Sequence, residues 1–220
     1  MTFSILARDP ESNAIGGAAA TGSLCVGGWV LRGDARAGMS ASQGAAPSTM
    51  WGEDVLLEMA KGLSTADAVD RITKADTRRE YRQLSALGLT GAGAVFTGTA
   101  NTPVMDGRIF DGGVAAGNLL SSTRVLESLV DDFQSSSGTF AVRLLSALKA
   151  GQNAGGDSRG LLSAALLIVS PDHAPLTLRI DYNEDPLAAL EALYNRATSG
   201  DYYTWSQQVP TLNDPERILD

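Results

Sequence analysis

Threonine 2 is the residue with the most direct capacity for chemistry. It follows Met1 and opens the strand-like run Thr2-Phe3-Ser4-Ile5-Leu6-Ala7. Removal of Met1 would leave its hydroxyl and a free α-amine on one carbon, a nucleophile with its own general base. An α-amine has a reference pKa of about 7.7–8.0, so a fair fraction is unprotonated at neutral pH and can take the hydroxyl proton as it attacks a carbonyl. No distant histidine is then required. The one histidine, His173, falls in the turn-like run Ser170-Pro171-Asp172-His173-Ala174-Pro175. The one cysteine, Cys25, stands between Leu24 and Val26, as a small core residue would. Glu53, Asp54 and Glu58 could serve a metal-dependent hydrolase, but their helical spacing reads as a solvated helix face. With no cysteine pair and no histidine cluster, neither a metal nor an organic cofactor is expected.

The elements that must position Thr2 follow from periodicity. Thr2 to Ala7 and Ile15 to Thr21 read as a hairpin around a polar turn, and Cys25 to Leu31 with Ala35 to Gln43 as a second strand pair through Arg32-Gly33-Asp34. From Trp51 the period changes: Val55, Leu56, Met59, Ala60 and Leu63 mark one helical face, and Ser64 with Asp67 caps a second helix through Ile72. Leu84 to Leu89, Ala92 to Thr97 and Gly113 to Leu119 return to strand. Two apolar stripes follow, Val125 to Phe133 and Ala141 to Leu148, divided by Ser135-Ser136-Ser137-Gly138. Ser163 to Ser170 and Leu176 to Asp181 form a last strand pair, and Asp185-Pro186 opens a helix. Residues 1–200 are thus expected to form a single domain, with an irregular tail over 201–220. Hairpins without regular βα alternation argue against a parallel doubly wound sheet. They suit an α+β protein, either a single helix-covered sheet or two stacked antiparallel sheets in a four-layer αββα sandwich.

Composition narrows the function classes. The 220 residues, 44% of them apolar and 19% charged, are enough for a large core. The formal net charge of −8 is unsuited to tracking phosphates, so no nucleic-acid partner is expected. Arg8, Asp9 and Glu11 interrupt any signal-peptide core, and the longest greasy run, Leu161 to Val169, is too short to span a bilayer. A soluble, cytoplasmic protein with no membrane partner is the expectation, and the apolar and aromatic content suits a homodimer.

Four segments carry a family resemblance: Thr2 to Pro10, Ala37-Gly38-Met39-Ser40-Ala41-Ser42-Gln43, Ala116-Gly117-Asn118-Leu119, and Ala150 to Gly160 continued through Ser163-Ala164-Ala165-Leu166-Leu167. Together they resemble the DUF1028 family, in order from Thr2 to about Tyr194, with Gly155-Gly156-Asp157-Ser158-Arg159-Gly160 and the following Ser-Ala-Ala as the most specific part. That family is placed in the N-terminal nucleophile (Ntn) hydrolase-like superfamily. The resemblance therefore implies the αββα sandwich and amide hydrolysis, in which Thr2 Oγ attacks, the α-amine shuttles the proton and water releases an acyl-enzyme. Some relatives carry an added peptidoglycan-binding domain, which suggests cell-wall peptides as their substrates.

The implied reaction assigns further residues. Asn118, after Gly117 at the end of a small-residue strand, is the first choice for an oxyanion hole. Asp157 could hold the α-ammonium and Arg159 could clamp a substrate carboxylate, or the two could form an ion pair that shapes the loop. Thr21, Ser23 and Gln43 are expected to line the pocket, because the second and fourth strands of such a fold flank the N-terminus. The chain departs from the family pattern in two ways. It has no lysine before Lys61, and Ser158 and Leu162 stand where relatives often carry Arg and Gln. The expected activity is hydrolysis of a small amide or peptide. The alternative is a non-catalytic protein of the same fold that binds a small molecule or serves as a structural oligomer.

Overall fold

Alternation along the strands builds the molecule. The computed structural model describes residues 2–219, and Met1, on whose removal the catalytic reading turns, lies outside them. Strands β1 (Thr2–Arg8), β2 (Ile15–Thr21), β7 (Met105–Phe110), β8 (Gly113–Asn118), β9 (Ser163–Val169) and β10 (Leu176–Ile180) form one sheet in the order β10-β9-β2-β1-β8-β7. Strands β3 (Leu31–Asp34), β4 (Gly38–Gly44), β5 (Arg82–Gly88) and β6 (Ala94–Thr97) form a second in sequence order. Every neighbouring pair is antiparallel.

Period-two alternation sends successive residues of each strand to different cores. In β1, Phe3, Ile5 and Ala7 join the core under helices α4 (Arg124–Ser135), α5 (Phe140–Asn153) and α6 (Pro186–Ala197), whereas Leu6 joins the core between the sheets. In β5, Leu84 and Ala86 face helices α2 (Thr49–Ala60) and α3 (Thr65–Lys74), whereas Leu87 faces the other sheet. Three apolar layers thus separate four structural layers, and the chain is a four-layer αββα sandwich. The inner strands keep small residues where the layers meet closely: a Cβ on Gly17 of β2 would come within 2.6 Å of Leu6 Cδ2 and 3.0 Å of the Ile5 carbonyl oxygen.

The helix layer over the larger sheet supplies much of the stability. Leu129 on α4 is fully buried there with Leu126, Phe133 and Leu144. Leu129→Ala is expected to cost about 2–5 kcal/mol through lost transfer energy and a residual cavity, read from the midpoint of denaturant unfolding.

The structure corrects the expected elements in three places. Cys25 to Leu31 is not a strand: Val26–Trp29 forms one helical turn, α1, and β3 begins at Leu31. The Val26 N–H donates to Ser163 Oγ at 3.1 Å and the Cys25 N–H to the Asp181 carbonyl at 3.0 Å, so the start of this turn satisfies its donors without a ladder. Strand β7 was not expected, because a sheet-edge strand reading Met-Asp-Gly-Arg-Ile-Phe buries neither face fully and shows no clean alternation. The tail, expected to be irregular, opens with helix α7 (Gly200–Ser206), which packs beside α6.

Candidate functional site

The layer between the sheets changes character at one end. Toward the middle it is hydrocarbon, with Leu6, Ile15, Met39, Leu87, Val114 and Val169. The same strand faces continue as Thr2 and Ser4 on β1, Thr21 on β2, Asn118 on β8, Ser163 on β9, Gln43 on β4 and Gln83 and Ser85 on β5, all of them buried. Register brings them to one place. Thr2 lies opposite Asn118, Thr21 opposite Ser163, and Gln43 opposite Gln83. A buried polar layer is stable only when its groups are bonded to one another.

Gln83 is the hub of that bonding. Its Nε2 donates to Thr97 Oγ1 at 2.8 Å and to the carbonyls of Asp106 and Gly117 at 2.9 and 3.0 Å. Its Oε1 accepts from Gln43 Nε2 at 2.7 Å and from Asn118 Nδ2 at 3.2 Å, so the surrounding carbonyls and amides fix the orientation of the group. Gln43 in turn donates to the Thr2 carbonyl at 3.3 Å and accepts from Ser4 Oγ at 2.8 Å. The Thr2 hydroxyl donates to Thr21 Oγ1 at 3.2 Å. Two buried atoms in this layer, Asn118 Oδ1 and Ser85 Oγ, have no partner among the described residues.

Beside the hydroxyl pair lies the glycine-rich loop, tied to the end of β8 by an isolated bridge between Leu120 and Asp157. Asp157 has a fully buried side chain. Its Oδ1 accepts from the Arg159 N–H at 2.9 Å and from Arg159 Nε at 3.2 Å, and its Oδ2 from the Gly22 N–H at 2.6 Å and from Arg159 Nη2 at 3.1 Å. All four lone-pair positions of the carboxylate are thereby filled. Of the two expected readings of Asp157 and Arg159, the geometry has the ion pair that shapes the loop, the buried carboxylate aiming Arg159. Arg159 Nη2 also donates to Ser23 Oγ at 3.2 Å. Gly22 permits the approach, since a Cβ there would lie 2.5 Å from the Gly160 carbonyl oxygen and 2.8 Å from Asp157 Oδ2. Gly22→Ala is expected to destabilise the protein by about 1–3 kcal/mol and to loosen the 157–160 loop, measured as a lower unfolding midpoint with faster amide exchange at Arg159.

A cavity of about 480 Å³ opens at this end of the sandwich, and Thr2, Thr21, Ser23, Gln43 and Arg159 all line it. Five of the seven residues expected from sequence therefore line one cavity. Asn118 and Asp157 do not line it. The Asn118 amide turns onto Gln83, and the cavity is reached instead by Leu119, held at φ +54°. Two larger hollows, of about 810 and 750 Å³, lie at the turn between β1 and β2 and contain none of the seven. Sequence reasoning missed Gln83, Ser4 and Ser163. The available signal was a glutamine on the core-facing parity of an apolar strand, Gln83 with Ser85 and Leu87.

Comparison with known proteins adds the following. The model of a family described as a family of unknown function, DUF1028, matches residues 2–190. The crystal structure of protein SPO2555 from Silicibacter pomeroyi, assigned to the same family, is 56% identical and superposes with a TM-score of 0.96, covering 100% of this chain and 99% of that one. No curated protein matches the chain.

Proposed function

The chain belongs to the DUF1028 family, and from that premise we propose that it is an Ntn-type amidohydrolase, cleaving a small amide or peptide through Thr2 once Met1 is removed. One observation carries the reading: the Thr2 hydroxyl, only 7% of the residue being exposed, sits in the wall of a cavity against a second hydroxyl, in a buried layer of amides and hydroxyls. In the proposed reaction Thr2 Oγ attacks the amide carbon and the free α-amine takes its proton. The tetrahedral intermediate collapses as that proton passes to the leaving nitrogen. Water, deprotonated by the same amine, then cleaves the ester.

The neighbouring groups suit these steps. Asn118 Oδ1 is a buried acceptor without a donor among the described residues, opposite Thr2 in the β1–β8 ladder, and an α-ammonium at position 2 would supply one. The Ser23 hydroxyl accepts from Arg159 and keeps its own proton to give, so it can donate to a developing oxyanion at the cavity wall. The proposal sets this reaction in the cytoplasm. No helix among the described residues is long and apolar enough to cross a membrane.

The filled coordination of Asp157 and a cavity lining without lysine favour a second reading, a non-catalytic receptor of the same fold. One experiment separates them. Intact-mass measurement of untagged protein from its native host, followed by incubation with a β-lactone probe, is expected to show loss of Met1 and a single acyl adduct on Thr2. Quantitative retention of Met1, or labelling no greater than that of Thr2→Ala, selects the receptor.

A further inference from the structure

Resting on the reading of this cavity as the amide-binding site, we propose its substrate class: amides the size of an N-acyl amino acid, with a carboxylate near the scissile bond and an apolar group beyond it. In a chain of net charge −8, Arg159 is the one charged side chain among the described residues that line the cavity, its partner Asp157 lying buried behind it. Its guanidinium is held by one edge, Nε and Nη2 lying across the two oxygens of buried Asp157, with Nη2 also bonded to Ser23. Nη1 makes no hydrogen bond among the described residues, and the side chain is 44% exposed. With Nε and both hydrogens of Nη2 engaged, the two N–H groups of Nη1 are the donors the fixed guanidinium has left to give, and an acceptor-only carboxylate is suited to take them.

The apolar part of the lining is Leu24, Trp29, Val30 and Pro47. Leu24 and Trp29 are each 53% exposed and both line the cavity, so an apolar group bound there would cover them. They are presented rigidly, since α1 is pinned close to the larger sheet: a Cβ on Gly27 would come within 2.8 Å of Ala165 Cβ. A cavity of about 480 Å³ falls in the range that encloses a small ligand, with room for both halves at once.

The test uses the Thr2→Ala protein, which binds without turning over, and two probes titrated calorimetrically: N-phenylacetyl-leucine and its neutral carboxamide. The acid is expected to bind roughly tenfold or more tightly than the carboxamide. Arg159→Met should erase that difference, Arg159→Lys should keep part of it, and Trp29→Ala should weaken both probes severalfold. Equal affinity for the two probes, or no binding of either, overturns the proposal, and that comparison needs no Arg159 variant to fold. Turnover is scored separately on the processed wild-type protein. Acid-selective binding without turnover would retain this substrate class and sink the hydrolase reading. Turnover of neutral amides without preference for the acid would do the reverse.

Discussion

Thr2→Ala is expected to lower kcat/KM for amide hydrolysis by at least about 10⁴-fold, to the level left by substrate binding alone. The size follows from what one residue supplies. The hydroxyl is the atom that becomes acylated, so without it the two-step route through an ester is closed. The fold should tolerate the change, because among the described residues the lost side chain makes a single hydrogen bond, to Thr21 Oγ1, at the end of a strand whose other rungs are intact. Unfolding measured alongside activity should therefore move by only about 1 kcal/mol. Thr2→Ser keeps the hydroxyl and the α-amine on one carbon and should retain a measurable fraction of the rate. Acetylation of the released amine leaves the hydroxyl in place and should be as damaging as Thr2→Ala, since the base is lost. In the unmodified protein the rate should rise with pH through the α-amine pKa, near about 7.7–8.0, because only the neutral amine accepts the proton. A variant series with unchanged rates would place the chemistry elsewhere.

The fold was legible where burial imposes a period. The stripes at Val125 to Phe133 and Ala141 to Leu148 fall on α4 and α5, and Ser64 caps α3, accepting from the Asp67 N–H at 3.2 Å. Asp185 likewise caps α6, accepting from the Ala188 N–H at 3.3 Å. Legibility failed where a residue answers to neighbours distant in sequence. Strand β7 exists because β8 offers it a ladder, not because its own pattern demands a strand. The turn α1 forms because Ser163 and Asp181 receive its donors from 137 and 156 residues away along the chain.

The site divides in the same way. Thr2, Thr21 and Gln43 were readable because strand parity and the order of strands put them beside one another. For Asp157 two roles stayed open, because choosing between them depends on counting lone pairs, and the donors that fill them come from Gly22 as well as from its own loop. Asn118 was found by its place after a small-residue strand, but its orientation is dictated by Gln83, 35 residues earlier.

Gln83→Leu should be the most destabilising single change at this end of the molecule, costing about 3–5 kcal/mol, or enough to prevent folding in a domain whose total stability is on the order of 5–15 kcal/mol. Leucine matches the volume but strands every partner of the amide at once. Gln43 Nε2 and Asn118 Nδ2 lose their acceptor, and Thr97 Oγ1 and the carbonyls of Asp106 and Gly117 lose their donor. Most of these groups are beyond the reach of water, so each orphan carries its own desolvation cost. Gln83→Glu gives a sharper test because it keeps the shape and reverses the bonding on one side. An ionised carboxylate would face the carbonyls that Nε2 now satisfies, so burial and those oxygens should raise its folded-state pKa above the usual 4.3 or so. A group raised in the folded state contributes its stability below the unfolded pKa and loses it as pH rises through the folded value. The Glu variant should therefore approach wild-type stability near pH 4 and fall away toward pH 7, with urea unfolding followed by circular dichroism at both pH values as the measurement. A loss under about 1 kcal/mol for Gln83→Leu, or a pH-independent Glu variant, would mean that water reaches this amide. The hub matters to function through Gln43, which Gln83 holds while Gln43 holds the Thr2 carbonyl. A variant that still folds should lose rate at Thr2 without touching substrate, because the nucleophile's backbone would no longer be fixed to the second sheet.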